Sequence, residues 1–375
     1  MTESKTMIVI GAGHNGLVCA TYLAKAGHKV KIFEARSTAG GGVSRHQFAT
    51  DYYVAGLAHV LHPLNPKIVK ELDLVGAGLK KGEAINTISL GHDGRHMTLG
   101  MDHVEATGLS VEDAAAYKAF KKEFRSYAKA LEPMTMNKPP RLKDMDGKDK
   151  LTLAQLGLKL RFGLGAASMR EFLRVGGINI YDVLNEIIDD PQLKGAIAAD
   201  AVLGHHMGPR TPTTVLTYLN RLRGEIYGPQ SLPTAGEGNL TMALINAATK
   251  AGVEIMTDAK VEKIIIKDAK ATGVQLNSGQ EYLADMVISN ADAKKTFLGF
   301  VGSQELDAMF AKRIDTTRTN GTVAKLHFAL KKLPNFKGLT EIELKQRLLI
   351  APDMRYLEHA FNHAKYGEYS ENPLL

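Results

Sequence analysis

Cysteine is almost missing from this chain: Cys19 is the only one in 375 residues. A single thiol excludes an intrachain disulfide and any dithiol redox pair, and its setting in an apolar helical stretch suits a small core residue. No apolar run approaches the roughly 20 residues needed to span a bilayer. The opening MTESKT has neither the apolar core of a signal peptide nor the Arg-rich, acid-poor look of a transit peptide, so the default expectation is a cytoplasmic protein. Repeats, low-complexity tracts and Cys/His clusters at metal-ligand spacing are also lacking, and no metal is expected. His205 and His206 are adjacent, but sequence neighbours rarely share one ion without further ligands. The 47 basic and 40 acidic side chains leave +7, dispersed without a compact basic stripe interleaved with aromatics, so no nucleic-acid partner is expected.

At 375 residues and 44% hydrophobic, the chain can bury at least one large core and more naturally two domains. Its most informative stretch is MIVIGAGHNGLVCATYLAKAGHKVKIFEARSTAGGG, residues 7–42. Met7 to Ile10 is an apolar run of strand type, followed directly by Gly11, Gly13 and Gly16 at the dinucleotide-fingerprint spacing. Leu17, Ala20 and Leu23 recur at helical spacing, Gly27 closes the helix, and Val30, Ile32 and Phe33 form a second strand. Glu34 ends that strand, where a dinucleotide fold places the carboxylate that accepts hydrogen bonds from a ribose diol. Gly11 allows the tight turn, Gly13 lets the backbone approach a pyrophosphate, and Gly16 lets helix and strand pack closely. Ala12, His14 and Asn15 belong to the same cofactor-binding turn, whose helix N-terminus offers free N–H groups and a positive dipole. A carboxylate at Glu34 disfavours a 2′-phosphate, which makes NADP the poorest fit and leaves NAD and FAD.

The continuation EARSTAGGG adds Arg36, Gly40, Gly41 and Gly42. Here the chain resembles the FAD-dependent oxidoreductases of the glutathione-reductase-like superfamily, in which the glutamate is followed by a basic residue and a Gly-Gly pair passing close to the cofactor. Glycines without Cβ atoms allow such a loop to lie against a ribityl-pyrophosphate chain. The resemblance favours FAD, with an NAD-dependent dehydrogenase as the alternative.

A second region, residues 234–292, reads as a helix face (Leu240, Ala243, Leu244, Ala247), a strand GVEIMTD, a meander through KVEKIIIKD and ATGVQLN, and a final apolar strand, Met286 to Ile288. LPTAGEGNLTMALINAATKAGVEIMTDAKVEKI, ATGVQLNSGQE and DMVISNAD resemble the phytoene dehydrogenase group, which includes carotenoid desaturases, carotenoid isomerases and retinol saturase. Glu237 departs from that group, which usually shows Gly-Gly-Met there. SVEDAAAYKAFKKEF and LKGAIAADAVLGHHMGPRTPTTVLTYLNRLRGEIYG resemble more narrowly the branch called pyridine nucleotide-disulfide oxidoreductase domain-containing protein 2.

The resemblance implies an α/β fold: a Rossmann-like FAD-binding domain, residues 1–65 and 234–300, split by an inserted α+β substrate domain, residues 66–233 and 301–375. It implies that Val261 contacts adenine through its backbone and that the Ser289-Asn290-Ala291 turn lies at the cofactor end of the next strand. It also implies that His59 and His62 pass near the flavin. His59 is the weak candidate for a proton acceptor, since histidine titrates near neutrality. In the family a C-terminal segment supplies the last strand of the FAD domain and a glycine-rich turn into a helix. Nothing like it follows Asp292, so the chain reads as C-terminally truncated.

Within the insertion, Ser110 and Asp113 stand at capping-box-like spacing before an amphipathic helix bearing Phe120, Phe124 and Tyr127. LTLAQLGLKLRFGLGAASMREFLRV mixes leucines with Lys159, Arg161, Arg170 and Arg174, which suits a helical lid or a peripheral membrane contact. Glycines at 157, 163 and 165 argue against one continuous helix. GTVAKLHFAL, residues 321–330, reads as a substrate-domain strand, and residues 339–367 as helical or mixed. The leading expectation is an FAD-dependent oxidoreductase that removes hydride from, or isomerises a double bond in, a hydrophobic small molecule. The remaining alternative is a non-catalytic nucleotide-binding regulator or inactive fragment.

Overall fold

The computed structural model describes residues 3–58, 60–92, 94–232 and 239–375. His59 and the Gly236-Glu237-Gly238 departure therefore lie outside the described residues. The chain divides into two compact units, one of Met1–Glu83, Ser231–Thr319 and Lys325–Ala329, the other of Ala84–Gln230, Asn320–Ala324 and Leu330–Leu375.

The first unit is built on strand β1 (Thr6–Ile10), helix α1 (His14–Lys25) and strand β2 (Lys29–Phe33). A hairpin of β3 (Arg45–Ala49) and β4 (Tyr52–Ala55) follows. After the chain returns come α2 (Leu240–Lys250), β5 (Glu254–Met256), β6 (Val261–Lys267), β7 (Lys270–Leu276), β8 (Glu281–Leu283) and β9 (Met286–Ser289). The central sheet runs β9-β1-β2-β5, and its strands are parallel throughout. Both faces of a parallel sheet need covering, which is why β1 is an unbroken apolar run. Met7 and Val9 point into a core with Leu17 and Ala20 of α1 and Leu244, Ala247 and Ala248 of α2. The alternate residues Ile8 and Ile10 point the other way, against Val261, Ile264, Val274 and Leu276 of the β6-β7-β8 meander. The stretch EYLADMVISN, a single segment by its apolar pattern, serves two sheets: β8 completes the meander and β9 pairs with β1. Residues 66–83, 301–319 and 325–329, expected in the substrate domain, group with this unit instead, and Leu72 and Leu74 join the core of α1 and α2.

In the second unit Arg347–Leu349 lies parallel to Thr87–Ser89, and Met97–Leu99 and Val104–Ala106 continue the sheet antiparallel. The long helix Val111–Ala130 buries Phe120, Phe124 and Tyr127 as its periodicity requires. Ser110 caps it by accepting from the Asp113 amide, 3.0 Å. The Asp113 carboxylate does not return the bond of a capping box; it accepts from the amides of Asp189 and Asp190, 2.8 and 3.1 Å, and so ties a distant turn to this helix. Of the three glycines between 157 and 165, only Gly165 takes a left-handed φ, +81°. The helix Gly147–Leu158 runs on through a wide turn at Lys159–Gly163 before Gly165–Val175 begins.

The expected strand at 321–330 does not form: no ladder pairs it among the described residues, and Leu326, Phe328 and Leu330 are exposed. Alternating apolar residues supply a strand's side-chain pattern, but its N–H and C=O groups need a neighbour. Residues 339–367 are mixed, as read, with the strand Arg347–Leu349 and the helix Met354–Lys365.

Charge holds that late strand in place. Arg347 Nη1 lies 2.7 Å from Asp200 Oδ1, and Arg221 Nε lies 3.7 Å from the same oxygen. Burial alone would raise the Asp200 carboxyl, but the charges of Arg347 and Arg221 outweigh it and hold the group well below the usual carboxylate range. A carboxyl lowered by folding contributes stability above its unfolded value near 4, and the contribution fades as pH falls below that value. Asp200→Asn is expected to cost about 3 kcal/mol in urea unfolding at pH 7, because it removes the carboxylate countercharge beside two largely buried guanidinium groups. The deficit relative to the native chain should shrink steadily below pH ~4.

Candidate functional site

The fingerprint residues gather at the carboxyl end of β1. Gly11 turns the chain at φ +94°, and its amide donates to Phe33 O at 2.8 Å, closing the turn against the end of β2. Gly16 is where helix and turn come closest: a Cβ there would sit 2.1 Å from Gly11 O, inside the backbone. Gly13 ends the turn as the N-cap of α1, with no side chain capping it and no acid in the first turn. The first-turn N–H groups have no acceptor within the helix, so they and the dipole face outward beside the exposed His14 and Asn15.

Glu34 is 9% exposed, and its carboxylate accepts from Ala12 N at 2.8 Å and Arg36 N at 3.0 Å. A carboxylate offers about four acceptor positions. Two charge-assisted bonds offset the burial and leave lone pairs for a diol at the same spot. The Arg36 side chain is exposed; its backbone is the part engaged, through Arg36 N to Glu34 and Asp258 N to Arg36 O at 2.9 Å.

Gly40 and Gly41 form the second wall. Gly40 N donates to Ala12 O at 2.8 Å, and a Cβ on Gly41 would stand 3.0 Å from Gly13 Cα. Gly40 has φ +119°, and Thr241 Cγ2 lies 2.5 Å from where its Cβ would be. The two glycine loops thus touch backbone to backbone.

Val261 and Ser289 stand at the margin. Val261 opens β6, and its side chain is buried beside Phe33 and Ala259, so only its backbone can address a ligand. Ala259 N donates to Glu34 O at 2.9 Å, which brings the start of β6 beside the Glu34 loop. The Ser289 hydroxyl is engaged locally, 2.7 Å from Thr296 Oγ1 and accepting from Ala291 N at 3.3 Å. Its neighbour Asn290 lies closer to the fingerprint: Cβ atoms built on Gly11, Gly13 and Gly16 would approach it to 3.8, 3.1 and 3.2 Å. Only the parallel register of β9 on β1 places Asn290 there.

Two further residues escaped the sequence reading. Thr241 Oγ1 donates to Val43 O at 2.8 Å, tying α2 to the second glycine loop. Lys325, from the segment read as a strand, places Nζ 3.2, 2.5 and 3.3 Å from the carbonyl oxygens of Ala55, Gly56 and Leu57. Burial pushes its amine down from the ordinary lysine value. That stretch folds back on the glycine loop through Gly56 N to Ser44 O, 2.7 Å, and Leu57 N to Gly42 O, 2.8 Å. His62 is half-buried nearby in sequence.

A buried acid at the end of β2, an uncapped helix N-terminus and two glycine loops in contact define a dinucleotide-binding fold. The chain belongs to the flavin-containing amine oxidoreductase family, which it matches over residues 16–334. A flavin on a dinucleotide fold is FAD, and that sets the NAD alternative aside.

Among individual relatives, the chain is 29% identical to pyridine nucleotide-disulfide oxidoreductase domain-containing protein 2 of Rattus norvegicus, over 98% of this chain and 68% of that protein. It is 26% identical to a limonene dehydrogenase subunit of Castellaniella defragrans, over 90% of this chain and 62% of that one. With prolycopene isomerase 1 of an Oncidium hybrid cultivar it shares 27% identity, over 79% and 49% of the two chains. The solved oxidoreductase from Methanosarcina mazei superposes with TM-score 0.51 at 21% identity, over 83% of this chain and 65% of that one. The chain therefore spans about two thirds of the first of these relatives and a little less of the solved one.

Two glycine substitutions separate fold from ligand. Gly16→Ala drives a methyl into backbone and is expected to lower the unfolding midpoint as well as flavin content. Gly13→Val is expected to leave the midpoint nearly unchanged while flavin is lost from the purified protein, because the branched side chain fills the pyrophosphate's place. Glu34→Gln should weaken FAD binding about 10- to 100-fold in a fluorescence titration, the scale for losing a charged acceptor; an unchanged affinity would remove the ribose assignment.

Proposed function

We propose that the chain is an FAD-dependent oxidoreductase acting on an apolar, unsaturated small molecule, either by hydride removal or by double-bond isomerisation without net redox change. The observation that carries the nucleotide half is the buried Glu34 carboxylate, held by two amides and still open to a diol beside the uncapped N-terminus of α1. Bound FAD supplies a hydride acceptor at N5 of its ring. The chain's own part is to hold that ring and exclude water. Gly11, Gly13 and Gly16 admit the pyrophosphate, the first turn of α1 offsets its charge, and Glu34 orients the adenosine ribose. Lys325 braces the backbone at Ala55–Leu57, which continues from the glycine loop through the bonds to Ser44 and Gly42. His59 is the candidate proton acceptor, on the family resemblance.

The substrate class is supported by the names of two relatives, a limonene dehydrogenase subunit and a prolycopene isomerase. Limonene and prolycopene are both unsaturated terpenoid hydrocarbons. Removing hydride from such a molecule breaks a C–H bond whose electron pair leaves with the hydrogen, and a proton is lost from the neighbouring carbon. In isomerisation both return at new positions.

Purified protein is expected to show flavin absorption that bleaches on anaerobic addition of a terpenoid alkene or polyene, or else to convert a cis polyene to its isomer with no net bleaching of the flavin once turnover ends. Bleaching by simple aliphatic amines, with no response to hydrocarbons, would overturn the substrate class. His59→Ala should lower kcat at unchanged flavin content.

A further inference from the structure

The net charge is far less evenly spread than it looks along the whole sequence. Residues 138–174 hold nine lysines and arginines against four acids, a net +5 of the chain's +7. In the folded unit three of those acids are already committed. Asp146 and Asp149 pair with Arg141, each at 3.1 Å, and Glu171 pairs with Arg174 at 2.6 Å. Lys159 is 3.5 Å from Glu132. Lys138, Lys143, Lys148, Lys150, Arg161 and Arg170 have no ion-pair partner among the described residues, so six cations stand against Asp144 alone, a surplus of five.

The same segment exposes its large apolar side chains. Leu142 is 81% exposed, Leu151 58%, Leu158 57%, Phe162 74% and Leu173 65%. Leu151, Leu158 and Phe162 fall at i, i+7 and i+11 along the rod formed by Gly147–Leu158 and its continuation Lys159–Gly163, so they share one face. Unpaired Lys148, Lys150 and Arg161 lie on the same rod, and the Arg161 guanidinium stands 5.6 Å from the Phe162 ring centroid. Exposed leucine and phenylalanine flanked by free cations are the composition of a helix lying in a lipid interface. No described helix is long and apolar enough to cross a membrane, so the segment is suited to lie on a bilayer and not to span it.

We propose that residues 138–174 dock the second unit onto an anionic lipid surface, with Leu151, Leu158 and Phe162 entering the acyl boundary and the unpaired cations meeting the headgroups. The charge surplus selects this occupant over an apolar protein partner, for which unpaired lysines around the contact would be a desolvation cost. The inference is independent of the redox reading, since none of these residues belongs to the nucleotide site.

The test is cosedimentation of the full chain with vesicles of phosphatidylcholine, alone or with one part in three of phosphatidylglycerol. Binding is expected to the mixed vesicles and not to the neutral ones, and to weaken as salt is raised. Replacing Lys148, Lys150 and Arg161 by Ala should cost about fivefold in partitioning for each cation. Leu158→Asp with Phe162→Asp should abolish binding, while flavin content and melting midpoint, read on the same samples, stay unchanged. Equal partitioning onto both vesicle types, no partitioning, or partitioning insensitive to these substitutions would overturn the proposal. So would a native chain that sediments as a dimer and becomes monomeric in the Asp variant, which would show a second copy to be the occupant.

Discussion

The nucleotide site depends on one buried carboxylate. Glu34 sits at the end of β2, and its carboxylate oxygens reach the turn after β1 and the loop it belongs to, so a single side chain sets the spacing of those two backbone segments. An unpaired charge in that position would be prohibitively expensive, and the two amides are the condition for its being there at all. A site organised this way is shaped before any ligand arrives. Toward a ribose bound at this carboxylate, the charge that fixes the turn would also repel an additional phosphate.

The two units solve the problem of a discontinuous chain by different means. In the first, the returning segment is recognised by shape: β9 slots beside β1 because both are apolar on both faces, and α2 meets α1 through alanines. In the second, the late strand Arg347–Leu349 is recognised by charge as well, since Arg347 reaches Asp200 on the helix Pro191–Val202. Apolar matching tolerates substitution of similar volume, whereas a buried ion pair tolerates little on either side.

What could be read from the sequence was what is local. The strand-turn-helix-strand of residues 6–33 announces itself through glycine spacing and periodicity, because each of those residues acts on its near neighbours. The buried face of Val111–Ala130 follows from Phe120, Phe124 and Tyr127 in the same way. No local pattern shows Asn290, whose turn only the family resemblance places at the cofactor end, since its nearness to Gly13 exists through the pairing of strands some 280 residues apart. Asp113 had the right spacing for a capping box but found better donors in a turn more than 70 residues away. Lys325 was hidden for the opposite reason: its alternating surroundings promised a strand, and with no pairing neighbour among the described residues the chain is free to send that amine to three carbonyls.

The place of β1 in its sheet bears on how the protein is made. Its pairing with β2 can form as soon as both leave the ribosome, yet its other edge waits for Met286–Ser289. At translation rates of roughly 5–20 residues per second, that edge is uncovered for about 14 to 60 seconds in every nascent chain. During that interval an apolar strand with unsatisfied amides and carbonyls is open to any other extended polypeptide. Synthesis of this protein therefore carries a window of aggregation risk set by the length of its insertion, and a shielding chaperone or a fast codon tract across that insertion would shorten it.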